Sequence, residues 1–334
     1  MHSSCHIRTD DCIRRKPRRT GNRLEQGSQY LLGMHRIRVM KMNNAIKRKL
    51  IQIAAFGFTN SHLGNFAGGK LYTGKWKQFC NPGLNCYSCP AATLACPIGA
   101  MQAVAGSMQY NFSFYVVGFL LAAGVLLGRF VCGWICPFGL VQELFYKIPS
   151  RKYRLPKLFT YVKYGILVLF VIVLPVTATN YMGMGKPAFC QYICPSGTLF
   201  GGIAMTATHP ELRTAAGPLF LLKISILVLT LLACVPVFRF FCKTLCPLGA
   251  IYGLLNKISI YHLEVDKQSC IQCGKCARTC KMDVDPVAAP NSAECIRCGA
   301  CAAGCPKQAI RFGFSAKDIS SVEKSRQERH GGLK

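Results

Sequence analysis

Acidic residues are what this sequence has least of. Asp and Glu together number 13 in 334 residues, against 41 Lys and Arg, and charged residues of both signs make up 16% of the chain, where an ordinary protein carries roughly 25%. No acid-base or nucleophilic constellation stands out, which disfavours a stand-alone catalyst. No Ala-x-Ala cleavage site follows a short early apolar segment, so a cleaved signal peptide is not expected. The formal charge of +28 is of a size that nucleic-acid binding uses. The basic residues, however, sit beside apolar runs rather than along one polar face, which argues against that partner and for a lipid bilayer.

What the chain has in excess is apolar residues, at 51%, and cysteine, at 21. That is far more cysteine than a cytosolic enzyme carries, in a chain too large and apolar for a small secreted disulfide scaffold, so metal ligation is the leading explanation. Residues 1–42 read as a basic disordered tail and residues 313–334 as a charged one. Between them, residues 43–262 are expected to form a four-helix membrane domain and residues 263–312 a ferredoxin-like α+β domain.

The membrane expectation rests on four apolar segments, 50–69, 112–131, 164–181 and 218–238, each near the roughly 20 residues that a bilayer core of about 30 Å requires. Lys41, Lys47, Arg48 and Lys49 before the first segment, and Lys147, Arg151, Lys152, Arg154 and Lys157 between the second and third, would be cytoplasmic by the positive-inside rule. The reading is therefore a multi-pass protein of the cytoplasmic membrane with both termini inside, and Trp76 and Trp134 as interfacial anchors.

The C-terminal part carries Cys270, Cys273, Cys276 and Cys280, then Cys295, Cys298, Cys301 and Cys305, the second set ending in proline. This is the spacing of a ferredoxin with two [4Fe-4S] clusters, in which the fourth cysteine of each run serves the other cluster. One cluster takes Cys270, Cys273, Cys276 and Cys305, and the other takes Cys295, Cys298, Cys301 and Cys280. Zinc and disulfides compete poorly, since neither calls for a duplicated eight-cysteine pattern.

A second motif recurs through the apolar part. CGWICPFG at 132–139 is matched by CQYICPSG at 190–197 and CKTLCPLG at 242–249, with a partial copy, CPIG, at 96–99. Proline favours the first position of a helix and places the cysteine just before it, where unpaired N-H groups are expected to lower the thiol pKa. The copies at 132–139 and 242–249 align over a longer stretch, from Arg129 and Arg239 onward, which predicts one cluster held by Cys132, Cys136, Cys242 and Cys246. Helix-end thiols packed as small apolar groups, or paired as disulfides, are the alternative. A further site is expected from Cys190 and Cys194 with Cys96 and Cys89, leaving Cys80 and Cys86 of the same loop for a disulfide or a thiol function; a cluster held by Cys80, Cys86, Cys89 and Cys96 alone is the alternative. His62 and His209 are chemically able to ligate haem or bond a quinone, but no i, i+4 partner supports either.

At CGWICPFG, CKTLCPLG, CIQCGKCARTC and CIRCGACAAGCP the chain resembles the membrane-bound polyferredoxin family, which includes the quinol-oxidising iron-sulfur subunit of periplasmic nitrate reductase systems. The resemblance implies four transmembrane helices and electron exchange between a quinol pool or cytoplasmic donor and a redox partner protein. An electron-transfer protein is thus the leading expectation, ahead of a quinone-reactive oxidoreductase subunit or an iron-sulfur redox sensor.

Overall fold

The computed structural model describes residues 44–107, 114–178, 185–214 and 217–314. The N-terminal tail and all but the first two residues of the C-terminal one lie outside them. Four Cys-Pro elbows organise the chain between. Helices start at Pro97, Pro137, Pro195 and Pro247, each preceded by a cysteine in extended backbone, Cys96, Cys136, Cys194 and Cys246. Proline excludes helical backbone at the residue before it and is preset for the first helical turn, so each Cys-Pro step turns the chain sharply into a helix.

The apolar segments between the elbows are interrupted where the sequence reading had them run on. Residues 44–59 are helical, and that helix ends at Asn60, whose Nδ2 turns back to donate to the Phe56 carbonyl at 3.1 Å. The second helix, Phe114–Leu127, has 14 residues and the last, Pro218–Cys234, has 17. At 1.5 Å per residue they reach about 21 and 25 Å, short of a core of about 30 Å. Gly128, at φ +53°, ends the former in a left-handed turn that glycine adopts without steric cost.

Among the described residues, only Lys157–Thr177 is long and apolar enough to cross a membrane. The expectation of four transmembrane helices, the multi-pass cytoplasmic-membrane topology, and the resemblance to four-helix membrane-bound polyferredoxins are all corrected by this finding. Runs of apolar residues were legible, but the turns that cut them at Asn60, Gly128 and Val235 were not. The architecture is instead a helical domain carrying a small two-stranded sheet.

That sheet belongs to the C-terminal part. Strands β1 (His262–Val265) and β2 (Ile310–Gly313) pair antiparallel, His262 opposite Gly313 and Val265 opposite Ile310. They bracket two short helices, Lys275–Thr279 and Ala300–Gly304, which pack on each other. Leu263, Cys276, Cys301 and Ile310 form their buried core. The larger core lies in the helical domain, where Phe138, Phe241, Leu248 and Tyr252 are buried among the elbow cysteines.

Candidate metal centres

In the terminal domain the two duplicated runs interleave. Cys270, Cys273 and Cys276 line one cavity together with Cys305, and Cys280 lines a second with Cys295, Cys298 and Cys301. Gly274 and Gly299 sit in left-handed backbone immediately before the two short helices, and that turn carries each chain round its cavity. Among the described residues no three His, Cys, Asp or Glu side chains close on one point as a single metal ion requires. Thiols spread round a cavity match a cube that carries its ligands on separate iron corners.

The elbows at Pro137 and Pro247 come together as a second kind of site, here called site I. Cys132, Cys136, Cys242 and Cys246 are all buried and close enough that each of Cys132, Cys136 and Cys246 feels the charge of Cys242. The surroundings repeat with two-fold symmetry. Arg129, three residues before Cys132, donates from Nη2 to the Cys242 carbonyl at 3.1 Å. Arg239, three residues before Cys242, donates from Nη1 to the Cys132 carbonyl. Both guanidinium groups are fully buried, which is tolerable because each has a carboxylate: Glu294 for Arg129 at 2.8 Å and Glu143 for Arg239 at 2.6 Å. Burial would raise the Glu143 carboxyl, but Arg239, Arg48 and Lys49 together overcome it and hold it at about 2.

Site I is also where the terminal domain docks. Trp134, between Cys132 and Cys136, donates from Nε1 to the Arg297 carbonyl at 3.0 Å, so its role is this contact rather than an interfacial anchor. Lys243, between Cys242 and Cys246, donates to the Lys281 carbonyl at 3.1 Å and pairs with Asp283 at 2.6 Å. Gly133 lies against the Ile296 carbonyl so closely that any Cβ would collide with it. Arg297, Lys281 and Ile296 each stand next to a thiol of the second terminal cavity, Cys298, Cys280 and Cys295 respectively.

The remaining elbows, at Pro97 and Pro195, make site II. Cys96, Cys190 and Cys194 line a cavity of about 1170 Å³ whose fourth thiol is Cys86. Cys89 lies off this lining, packed with Ala91 and Ala92 and reaching Asn60 Oδ1 at 3.9 Å. Site I takes two thiols from each elbow; the elbow at Pro97 has Ala92 where the other has Cys132, and the loop supplies the missing sulfur. Cys80 is buried away from this lining, close enough to influence both Cys96 and Tyr252, a neighbour of the site I thiols.

The elbow was expected to lower the thiol pKa values, and the N-H contacts that would do so are present. Gly197 N-H donates to Cys194 Sγ at 3.4 Å and Gly249 N-H to Cys246 Sγ at 3.3 Å. Burial outweighs them. It pushes Cys96 and Cys136 up to about 12, Cys86 and Cys190 to about 11, and Cys194 and Cys246 well above the ordinary thiol range. Four buried thiols of this kind, with no carboxylate or imidazole among them, are a soft donor set that becomes thiolate when iron replaces the protons.

The two histidines are in ordinary polar contacts. His62 stacks on Tyr72 at 3.9 Å and meets Thr93 Oγ1 at 3.3 Å, and His209 Nε2 lies 3.1 Å from the Phe66 carbonyl oxygen. Two buried glutamines went unnoticed in the sequence. Gln142 Nε2 donates to Cys242 Sγ and Gln102 Nε2 to Cys190 Sγ, each at 3.1 Å. The signal was available, since both stand six residues after an elbow cysteine, in CPFGLVQ and CPIGAMQ.

The sequence pattern of a 4Fe-4S binding domain matches residues 110–156, 164–209 and 218–261. An uncharacterized protein of Methanocaldococcus jannaschii, MJ0750, is 30% identical over 206 residues, covering 59% of this chain and 76% of that protein, and the chain belongs to its family. The methylamine utilization ferredoxin-type protein MauN of Methylobacillus flagellatus is 24% identical over 261 residues, 75% of this chain and 80% of that one. An Escherichia coli K12 protein named for electron transport, YccM, is 26% identical over 204 residues, 57% of this chain and 52% of that one. No solved structure matches. The chain is an iron-sulfur protein of redox electron transfer.

Proposed function

We propose that four four-thiol cradles each hold a [4Fe-4S] cluster and that together they form one electron path. The path runs from Cys270, Cys273, Cys276 and Cys305 to Cys280, Cys295, Cys298 and Cys301, then to site I and on to site II with Cys86, Cys96, Cys190 and Cys194. The observation that carries this reading is the docking of the terminal domain. The residues inside both Cys-x3-Cys segments of site I, Trp134 and Lys243, bond the backbone beside Cys298 and Cys280. When bound, the clusters supply one-electron chemistry; the protein supplies thiolates, excludes water and fixes the order of sites. A redox partner protein exchanges electrons with an end of the path.

Anaerobic reconstitution with iron and sulfide analysis tests this reading. About sixteen iron atoms per chain are expected, four per cube, falling by about four when Cys132 and Cys242 are both replaced by serine. A content of about eight, unchanged in that variant, would leave only the terminal pair.

The volume beside site II supports a second reading. About 1170 Å³ is somewhat larger than a usual small-molecule site, and Met205, Leu212, Leu219 and Phe220 line it together with the thiols. An apolar redox molecule such as a quinone would then exchange electrons at site II. Loss of quinol-dependent cluster reduction in Cys86→Ala, with the terminal clusters still reducible by dithionite, is the expected result.

A further inference from the structure

The two buried glutamines sit in equivalent places at sites whose ligands otherwise differ. Gln142 leaves the helix that begins at Pro137, crosses to the opposite elbow, and donates to Cys242 Sγ. Gln102 leaves the helix that begins at Pro97, crosses likewise, and donates to Cys190 Sγ. Both are fully buried. In each case the receiving sulfur is the first cysteine of a Cys-x3-Cys pair on the other elbow. The two remaining elbows carry Phe200 and Tyr252 at the corresponding position, so each site contains one glutamine elbow and one aromatic elbow.

The amide orientation follows from the neighbours. Gln102 Oε1 accepts from Phe189 N-H at 2.9 Å, and Gln142 Oε1 accepts from Cys242 N-H at 3.4 Å. A backbone N-H can only donate, so the oxygen must face it and the NH2 group must face the sulfur. The NH2 groups are held from behind by the Ile98 and Phe138 carbonyls at 3.2 and 3.4 Å. Cys234 Sγ, itself buried, lies 3.7 Å from Gln142 Oε1 and adds a third constraint there. Each amide orientation is therefore set by protein groups alone.

A hydrogen bond to a cluster thiolate stabilises the reduced state, which carries the extra negative charge on iron and sulfur, more than the oxidised state. Hydrogen bonds to sulfur are among the factors that set iron-sulfur potentials, and in a buried site the effect is not diluted by water. Resting on the reading of sites I and II as cluster sites, we infer that Gln142 and Gln102 are positioning residues that raise the reduction potentials of those two clusters through Cys242 and Cys190.

The test uses the full chain, reconstituted anaerobically, with Gln142→Met and Gln102→Met made separately. Methionine keeps the length of the side chain and removes the N-H. In an EPR-monitored redox titration, Gln142→Met is expected to lower the site I midpoint by about tenfold in the reduction constant, 59 mV for one electron, leaving site II and the terminal clusters in place. Gln102→Met should do the converse. Wild-type iron content with both midpoints unmoved overturns the inference. If a variant fails to load, pulsed EPR of the unaltered protein, labelled with nitrogen-15 in the glutamine amide, decides the matter. Coupling of that nitrogen to the reduced clusters is expected, and its absence overturns the inference. Failure of the unaltered chain to load sites I and II counts instead against the cluster reading itself.

Discussion

Sites I and II are built from the same elbow and closed in opposite ways. Site I is sealed: two buried guanidinium groups cross between its halves, and the terminal domain covers its Cys-x3-Cys segments. Site II has no arginine at the positions matching Arg129 and Arg239, since Cys89 and Pro187 stand there. A loop thiol completes it, and it opens into a large apolar cavity whose lining includes one cation, Lys223. The difference teaches that the repeat supplies thiols and helix starts, whereas what surrounds them decides whether a site is sealed or opens onto a cavity.

The sharpest way to break that comparison is at the loop. Cys86→Ala should remove about four iron atoms, a whole cube, while Cys89→Ala should retain them; iron analysis of the two variants separates the two sulfurs. Equal loss in both would return Cys89 to the site. At site I the corresponding weakness is the charge that seals it. Arg239→Leu leaves the Cys132 carbonyl without its guanidinium and breaks the pair with Glu143, a buried ion-pair loss of roughly 3–5 kcal/mol, to be read by denaturant unfolding of the apo-protein. Lys223→Met, on the open cavity of site II, should change stability by less than about 0.5 kcal/mol.

A comparable effect should appear as pH dependence. Glu143 is held at about 2 against an ordinary 4.5, so its stabilising contribution is complete above about 4.5 and disappears as pH falls towards 2. Glu143→Gln should therefore be less stable than the parent at neutral pH by on the order of 3 kcal/mol, with the gap closing through that acid window in unfolding curves. A smaller effect than either carboxylate or arginine loss is expected at the docking contact. Trp134→Phe removes one hydrogen bond to Arg297, worth about 1 kcal/mol, and should lower hydrogen-exchange protection around residues 295–298. Tyr192→Phe, its counterpart between Cys190 and Cys194 and 39% exposed, should leave protection unchanged.

Much of the chemistry was legible in the sequence because it is written locally. Eight cysteines at two- and three-residue spacings, and four Cys-Pro steps, need no tertiary information to be noticed. The span lengths were not legible, because hydropathy averages over a window and cannot see that Gly128 turns left-handed or that Asn60 bonds back to its own helix. That Cys86 rather than Cys89 lines the cavity with Cys96, Cys190 and Cys194 was also out of reach: three residues apart in a loop, they have the same spacing logic, and only the fold of the loop against the Pro195 elbow separates them. The glutamines were readable as a repeat at a fixed distance from cysteine, but an uncharged amide in an apolar segment attracts little notice beside so many thiols.

Arg129 holds three separately built parts of the chain at once. Its guanidinium meets the Cys242 carbonyl, the Ala293 carbonyl at 2.6 Å and Glu294, which lie on the second elbow pair and on the terminal domain. A chain in which either of these has not yet docked leaves a buried cation with donors unused, at a cost of roughly 1–3 kcal/mol. The side chain thus ties the second elbow pair and the terminal domain to the first elbow through one buried group.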